Sequence, residues 1–347
     1  MRGTLDSAGR SFVASADPSA AQGDEGSGGK WTKLRRPLKG VLIAAVLGLA
    51  GYLLYRTLGR YDLDQVIASV TSIPLHNLAL AGGFAAASYL CLTGFDALAV
   101  RYVDQPLPYR RVATASFVAL SIGHNIGFAA LSSGAIRYRF YSRWGLSTEE
   151  IAKLILFCAL TVALGLTILG GVALLLQPDL AEGITRLDRP LILALGTTCL
   201  ALAVTYLVLA GCVRRTLRFR RWSLEMPSLR LAIGQVIIGP LNFACVAACL
   251  HQALAAISDV AYLGVAAAYV IANVTALITH VPGGLGVIES VITFLLPQGD
   301  IIGALVVFRF VYFLVPLGIG SLLLAGIELA RRRKGSADAS KPEVPAG

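Results

Sequence analysis

Charged side chains are scarce in this sequence, and four of them stand inside otherwise apolar stretches: Asp96, Arg137, Glu289 and Arg309. A charge at the centre of a membrane helix costs about 2.5–3.5 kcal/mol even on the lenient insertion scale, so each is a functional-site candidate by default. Arg137 and Glu289 are the main pair. The planar guanidinium of Arg137, helped by amides at a nearby helix start, suits a phosphate. Glu289 then faces a cationic head group, or balances Arg137 when the site is empty. The structural alternative is an ion pair locking Arg137 to Glu289. Asp96, in Thr93-Gly94-Phe95-Asp96, serves either the site or an interfacial pair with Arg101 or the Arg110 cluster. Arg309, in Phe308-Arg309-Phe310-Val311-Tyr312, serves either substrate or Glu289 as counter-ion. Asn125 and Asn273 complete the candidate substrate-binding set. His124 and His280 satisfy backbone groups or relay protons. Glu328 precedes Arg331 and Arg332 by three and four residues, the spacing of a surface helix pair.

These residues need unusual backbone to meet. Thr279-His280-Val281-Pro282-Gly283-Gly284-Leu285-Gly286 interrupts an apolar region that runs from Ala261 to Leu296. Proline blocks helix continuation, and the glycines lift the bias against non-helical dihedrals. In lipid each unpaired backbone group costs several kcal/mol, so such a break survives only inside protein or beside a watery cavity. Breaks are expected at Pro282, Gly283, Gly284 and Gly286 and, in a second place, at Ser132, Ser133 and Gly134.

Composition sets the class. Of 347 residues, 56 % are hydrophobic and 14 % charged, against roughly 25 % charged in soluble domains; mean hydropathy is +0.71. The net charge of +10 falls in short clusters between apolar spans, the pattern of membrane-protein loops rather than of nucleic-acid binding. Six cysteines lie in or beside apolar segments with no Cys-x-x-Cys spacing, which points to buried free thiols. No metal or cofactor is expected. His-Glu-x-x-His, Gly-x-Ser-x-Gly and P-loop patterns are missing, so the reading is not an enzyme.

The expected architecture is an all-α, polytopic integral membrane protein. Residues 1–37 read as a disordered, basic cytoplasmic tail with no signal peptide, 38–330 as the transmembrane domain, and 331–347 as a cytoplasmic tail. Apolar runs lie at 38–58, 75–100, 112–131, 151–176, 190–213, 229–254, 262–281, 286–297 and 301–330. The arginines at 101–111, 214–221 and 331–333 should be cytoplasmic, and the more acidic loop at 177–189 outside. Simple alternation cannot satisfy all of these. About six full crossings can, with two oppositely oriented re-entrant hairpins at 112–146 and 262–297. Gly134-Ala135-Ile136-Arg137 and Gly286-Val287-Ile288-Glu289 then match as an inverted repeat, a carrier design.

Val281-Pro282-Gly283-Gly284-Leu285-Gly286-Val287-Ile288-Glu289, Phe95-Asp96-Ala97-Leu98 and Ser133-Gly134-Ala135-Ile136-Arg137-Tyr138-Arg139-Phe140-Tyr141 together resemble the transmembrane flippase region of the lysylphosphatidylglycerol synthase/flippase (multiple peptide resistance factor) family. The resemblance covers about residues 38–330. It implies a helical lipid translocase of the bacterial inner membrane, with Asp96, Arg137 and Glu289 at polar positions that flipping needs. It supports translocation rather than synthesis, for lysylphosphatidylglycerol or another aminoacylated phosphatidylglycerol. Expected partners are membrane phospholipid and a separate lipid aminoacyltransferase, with self-association open. The rival readings are a non-transporting partner of such a synthase, docked through the loop at 214–221, and a carrier for a small anion.

Overall fold

The computed structural model describes residues 71, 73–126, 129–185, 187–212, 216–219, 222–279, 281, 284–296 and 301–339. The expected first crossing at 38–58, the N-terminal tail, His280, Pro282 and Gly283 lie outside the described residues. The described chain is built of α-helices: α1 Leu75–Tyr102, α2 Tyr109–Ile126, α3 Ala129–Tyr141, α4 Thr148–Leu176, α5 Pro178–Thr185, α6 Arg189–Cys212, α7 Leu229–Leu254, α8 Tyr262–Thr279, α9 Val287–Leu295, α10 Ile302–Arg309 and α11 Val315–Ala339. Two short strands, β1 Thr216–Phe219 and β2 Trp222–Glu225, pair antiparallel as a ribbon within the arginine-rich loop between α6 and α7.

Six of these stretches are long and apolar enough to cross a membrane: α1, α4, α6, α7, α8, and the run Ile302–Arg331. Five coincide with expected crossings. The sixth, α8, is the expected entering arm of the second hairpin. Its 18 residues rise about 27 Å, near the roughly 30 Å of hydrocarbon, so length admits either role. The chain is a multi-pass membrane protein.

The helices sort by how they meet lipid. On α6 the buried residues are Ile192, Gly196, Ala203 and Ala210, while Leu191, Leu195, Leu202, Val204 and Val208 are exposed. One narrow stripe therefore packs inward and the rest faces the apolar solvent. The centre is α1 against α7, and α4 packs on both of them. At Gly165 of α4 a Cβ would come within 2.6 Å of the Gly239 carbonyl, so the two backbones touch directly. Lipid offers no hydrophobic drive between helices, and close backbone approach supplies dispersion contacts instead.

Two helix pairs form hairpins that pack on themselves, α2 with α3 and α8 with α9. The first turns elsewhere than expected. Ser132, Ser133 and Gly134 lie inside α3, and the interruption falls between Ile126 and Ala129. The small residues serve the contact between the arms rather than a break. Ser132 Oγ donates to the Gly123 carbonyl of α2 at 3.2 Å, and a Cβ on Gly123 would meet Ser133 Cβ at 2.8 Å. The second hairpin breaks where the glycines predict, between Thr279 and Val287, with Gly284 at φ 59° and Gly286 at φ 83°. Those are left-handed conformations that favour glycine.

The final run bends from α into a π segment at Phe310–Leu314 before α11. Pro316 explains the disturbance, because it lacks the N–H that would reach back to the carbonyl of Tyr312. Side chains from other helices meet the loosened carbonyls. Tyr89 of α1 donates to the Tyr312 oxygen at 3.5 Å, and Asn125 of α2 to that of Phe313 at 3.3 Å.

Candidate functional site

Asp96 is fully buried on α1. Three donors from α3 and α4 converge on it. Arg137 reaches it through Nε, 3.2 Å from Oδ1 and 3.0 Å from Oδ2, and through Nη2, 2.7 Å from Oδ1. Tyr141 donates its hydroxyl to Oδ2 at 2.9 Å, and the Cys158 thiol lies 3.3 Å from Oδ1. Arg137 Nη1 in turn donates to Ser133 Oγ at 3.1 Å. Ser133, Arg137 and Tyr141 recur every four residues, so one face of α3 presents all three toward α1. This is a bidentate, charge-assisted pair with its spare lone pairs filled, the geometry a buried ion pair requires.

A second pair stands at the other hairpin. Glu289, in the first turn of α9, accepts the Gly286 N–H at 2.9 Å. Arg309 of α10 pairs with it through Nε on Oε1, and through Nη2 on Oε2 at 2.8 Å. The same Nη2 donates to the Gly284 carbonyl at 3.1 Å, and the guanidinium lies 5.3 Å from the centre of the Phe313 ring. The Arg309 side chain is 4 % exposed and that of Glu289 22 %. Arg309 therefore holds both the carboxylate and the glycine turn that delivers it.

Arg137 and Glu289 do not pair with each other. Each takes its partner from a helix beside its own hairpin: Asp96 on α1, before the first hairpin, and Arg309 on α10, after the second. Asp96 likewise pairs with Arg137 rather than with Arg101 or the Arg110 cluster. The position-for-position match of the two hairpins also loosens, because Glu289 sits in the first turn of its helix and Arg137 two turns into α3. Glu328 bonds across to Arg139 of α3 at 2.7 Å and to Arg143, in the turn that follows α3, at 3.9 Å; the Arg332 side chain of the expected pair lies outside the described residues.

The two asparagines differ. Asn125 is buried and ties α2 to the π segment, whereas Asn273 donates within α8 to the Tyr269 hydroxyl at 3.1 Å. His124 packs its ring 6.4 Å from that of Tyr89, and its buried Nδ1 has no hydrogen-bond partner among the described residues. A polar link that sequence reasoning missed joins α1, α7 and the π segment. Ser88 Oγ donates to Asn242 Oδ1 at 2.8 Å and lies 3.0 Å from the Tyr312 hydroxyl. Tyr141, Cys158 and Ser133 were also unassigned as partners of the Asp96 pair, although the four-residue spacing of Ser133, Arg137 and Tyr141 was a readable signal.

Residues 40–320 match the family described as lysylphosphatidylglycerol synthase TM region. The chain belongs to this family. Among its relatives, an uncharacterized protein of Synechocystis (slr0712) is 30 % identical over 88 % of this chain and 96 % of its own length. The inner membrane protein YbhN of Escherichia coli is 27 % identical over 74 % of this chain and 82 % of its own. The phosphatidylglycerol lysyltransferase of Staphylococcus haemolyticus is 22 % identical over 88 % of this chain, which corresponds to only 36 % of that protein. Within this lysylphosphatidylglycerol synthase TM region, both buried ion pairs fall inside the matched residues.

Proposed function

We propose that this chain is a phospholipid translocase that moves a lipid with a phosphate-centred head group, lysylphosphatidylglycerol or another aminoacylated phosphatidylglycerol, between the leaflets of the bacterial inner membrane. The observation that carries the reading is the two ion pairs, each held between a hairpin's second arm and a neighbouring long helix. A lone charge in this setting would be prohibitive, but a charge already paired can exchange one partner for another. A lipid phosphate can take Arg137 from Asp96, while a lysyl ammonium takes Glu289 from Arg309 or engages the released Asp96. The acyl tails stay in hydrocarbon, so only the head group needs a polar route, and Ser88, Asn242, Tyr312 and Asn125 offer donors and acceptors along it. Asn273 lies on the second hairpin and would line the route from that side. The two hairpins are read as re-entrant from opposite faces and as the cores of an inverted repeat, with both chain termini cytoplasmic. A separate lipid aminoacyltransferase would supply the substrate. The reaction makes and breaks no covalent bond, so the chain acts as a carrier rather than an enzyme.

The test is a leaflet assay. In a strain supplied with a free-standing lysylphosphatidylglycerol synthase, the protein should raise the outer-leaflet fraction of that lipid without changing its total. The rise should vanish with Glu289→Gln, and with Asp96→Asn combined with Arg137→Gln, which removes the charges without stranding either. An unchanged outer-leaflet fraction with well-expressed wild type would remove this substrate and leave the synthase-partner reading in its place.

A further inference from the structure

An open surface cavity of about 480 Å³, which includes no residue of either ion pair, is lined by Arg110, Arg111, Thr114, Phe140, Trp144, Ile327 and Arg331. Three helices build it: the start of α2, the end of α3 with its following turn, and α11. Its lining is divided by chemistry. Phe140 is buried and packs 5.7 Å from the Trp144 ring, which with Ile327 forms an apolar wall. The lining also carries three guanidinium groups. None of them pairs with a carboxylate among the described residues, and the nearby acid, Glu328, is already held by Arg139 and Arg143.

The start of α2 sets the sign of charge that this cavity favours. Arg110 and Arg111 occupy the first turn of α2, which contains no acidic residue. That is the positive end of the helix dipole, where cations are disfavoured and anions favoured. Two exposed arginines there, joined by Arg331 from another helix, form a concentration of positive charge that attracts an anion. A free phosphate would answer the charge but leave the aromatic wall idle. A glycerophospholipid answers both, its phosphate on the arginines and its glycerol and upper acyl carbons against Phe140, Trp144 and Ile327.

We infer that this cavity is a binding site for the head group of an anionic glycerophospholipid from the adjoining leaflet, separate from the buried ion pairs. The site holds whether or not the chain translocates lipid, because its readout is retention and not leaflet distribution.

Each surface cation near an anionic lipid is worth about fivefold in affinity, so neutralising all three predicts a loss of roughly a hundredfold. Purified full-length protein would be offered phosphatidylglycerol or phosphatidylcholine in mixed micelles and bound lipid counted by native mass spectrometry. Wild type should retain phosphatidylglycerol well above phosphatidylcholine. Arg110→Gln/Arg111→Gln/Arg331→Gln should abolish the preference, and Arg331→Gln alone should weaken it. Arg101→Gln/Arg230→Gln, at exposed arginines outside the cavity, should leave it intact. Glycerol phosphate in excess should compete poorly, since it lacks the acyl carbons. Equal retention of the two lipids, equal loss in the outside-arginine control, or full displacement by glycerol phosphate would each overturn the assignment.

Discussion

The pairing of buried charges can be tested by double-mutant cycles. Removing one member of a buried ion pair strands the other and costs about 3–5 kcal/mol, whereas removing both costs much less. Asp96→Asn leaves Arg137 with the neutral Ser133 hydroxyl as its hydrogen-bond partner, so it should fall at the upper end of that range. Arg137→Gln leaves the Asp96 carboxylate with Tyr141 and Cys158 as donors, so it should fall at the lower end. The double change should recover about 2–3 kcal/mol of coupling, the upper range for contacting residues. For Glu289→Gln with Arg309→Gln the coupling should be smaller, about 1 kcal/mol, because Glu289 is 22 % exposed and water softens the loss. Arg137→Gln with Glu289→Gln should be additive within about 0.5 kcal/mol, since the two share no partner. The assay is reversible unfolding in mixed micelles, followed by tryptophan fluorescence, with Trp144 reporting from 5.7 Å beside Tyr141. Coupling between Arg137 and Glu289 as large as that between Arg137 and Asp96 would refute the pairing.

Tyr141→Phe should cost roughly 1–1.5 kcal/mol by removing one donor from Asp96, measured in the same unfolding assay. Gly165→Val should cost about 1–3 kcal/mol by forcing α4 off α7, while Gly82→Ala, whose added methyl meets nothing within 4 Å, should not destabilise. Single cysteines in a cysteine-free background should be labelled from outside at 180–188 and from the cytoplasm at 140–148 and 214–221. Labelling at 140–148 from outside only would exclude re-entry of the first hairpin.

Composition and the spacing of apolar runs by themselves determined that this is a helical membrane protein. The physical reason is that a 20-residue apolar run has few other solutions in a bilayer. The Gly284 and Gly286 break was legible too, because glycine takes positive φ without steric cost and the glycine run here follows directly on a proline. Pairing was not. Asp96 and Arg137 are 41 residues apart, and Glu289 and Arg309 are 20 apart. Which acid meets which base depends on how α3 lies against α1 and how α9 lies against α10. Four charges of two signs allow two pairings that local sequence cannot separate. The Ser-Ser-Gly stretch misled for a related reason: small residues lower the cost of a turn, but they equally permit two helix arms to touch. Only the packed partner, Gly123 across the hairpin, decides between those uses, and that partner is supplied by the tertiary structure.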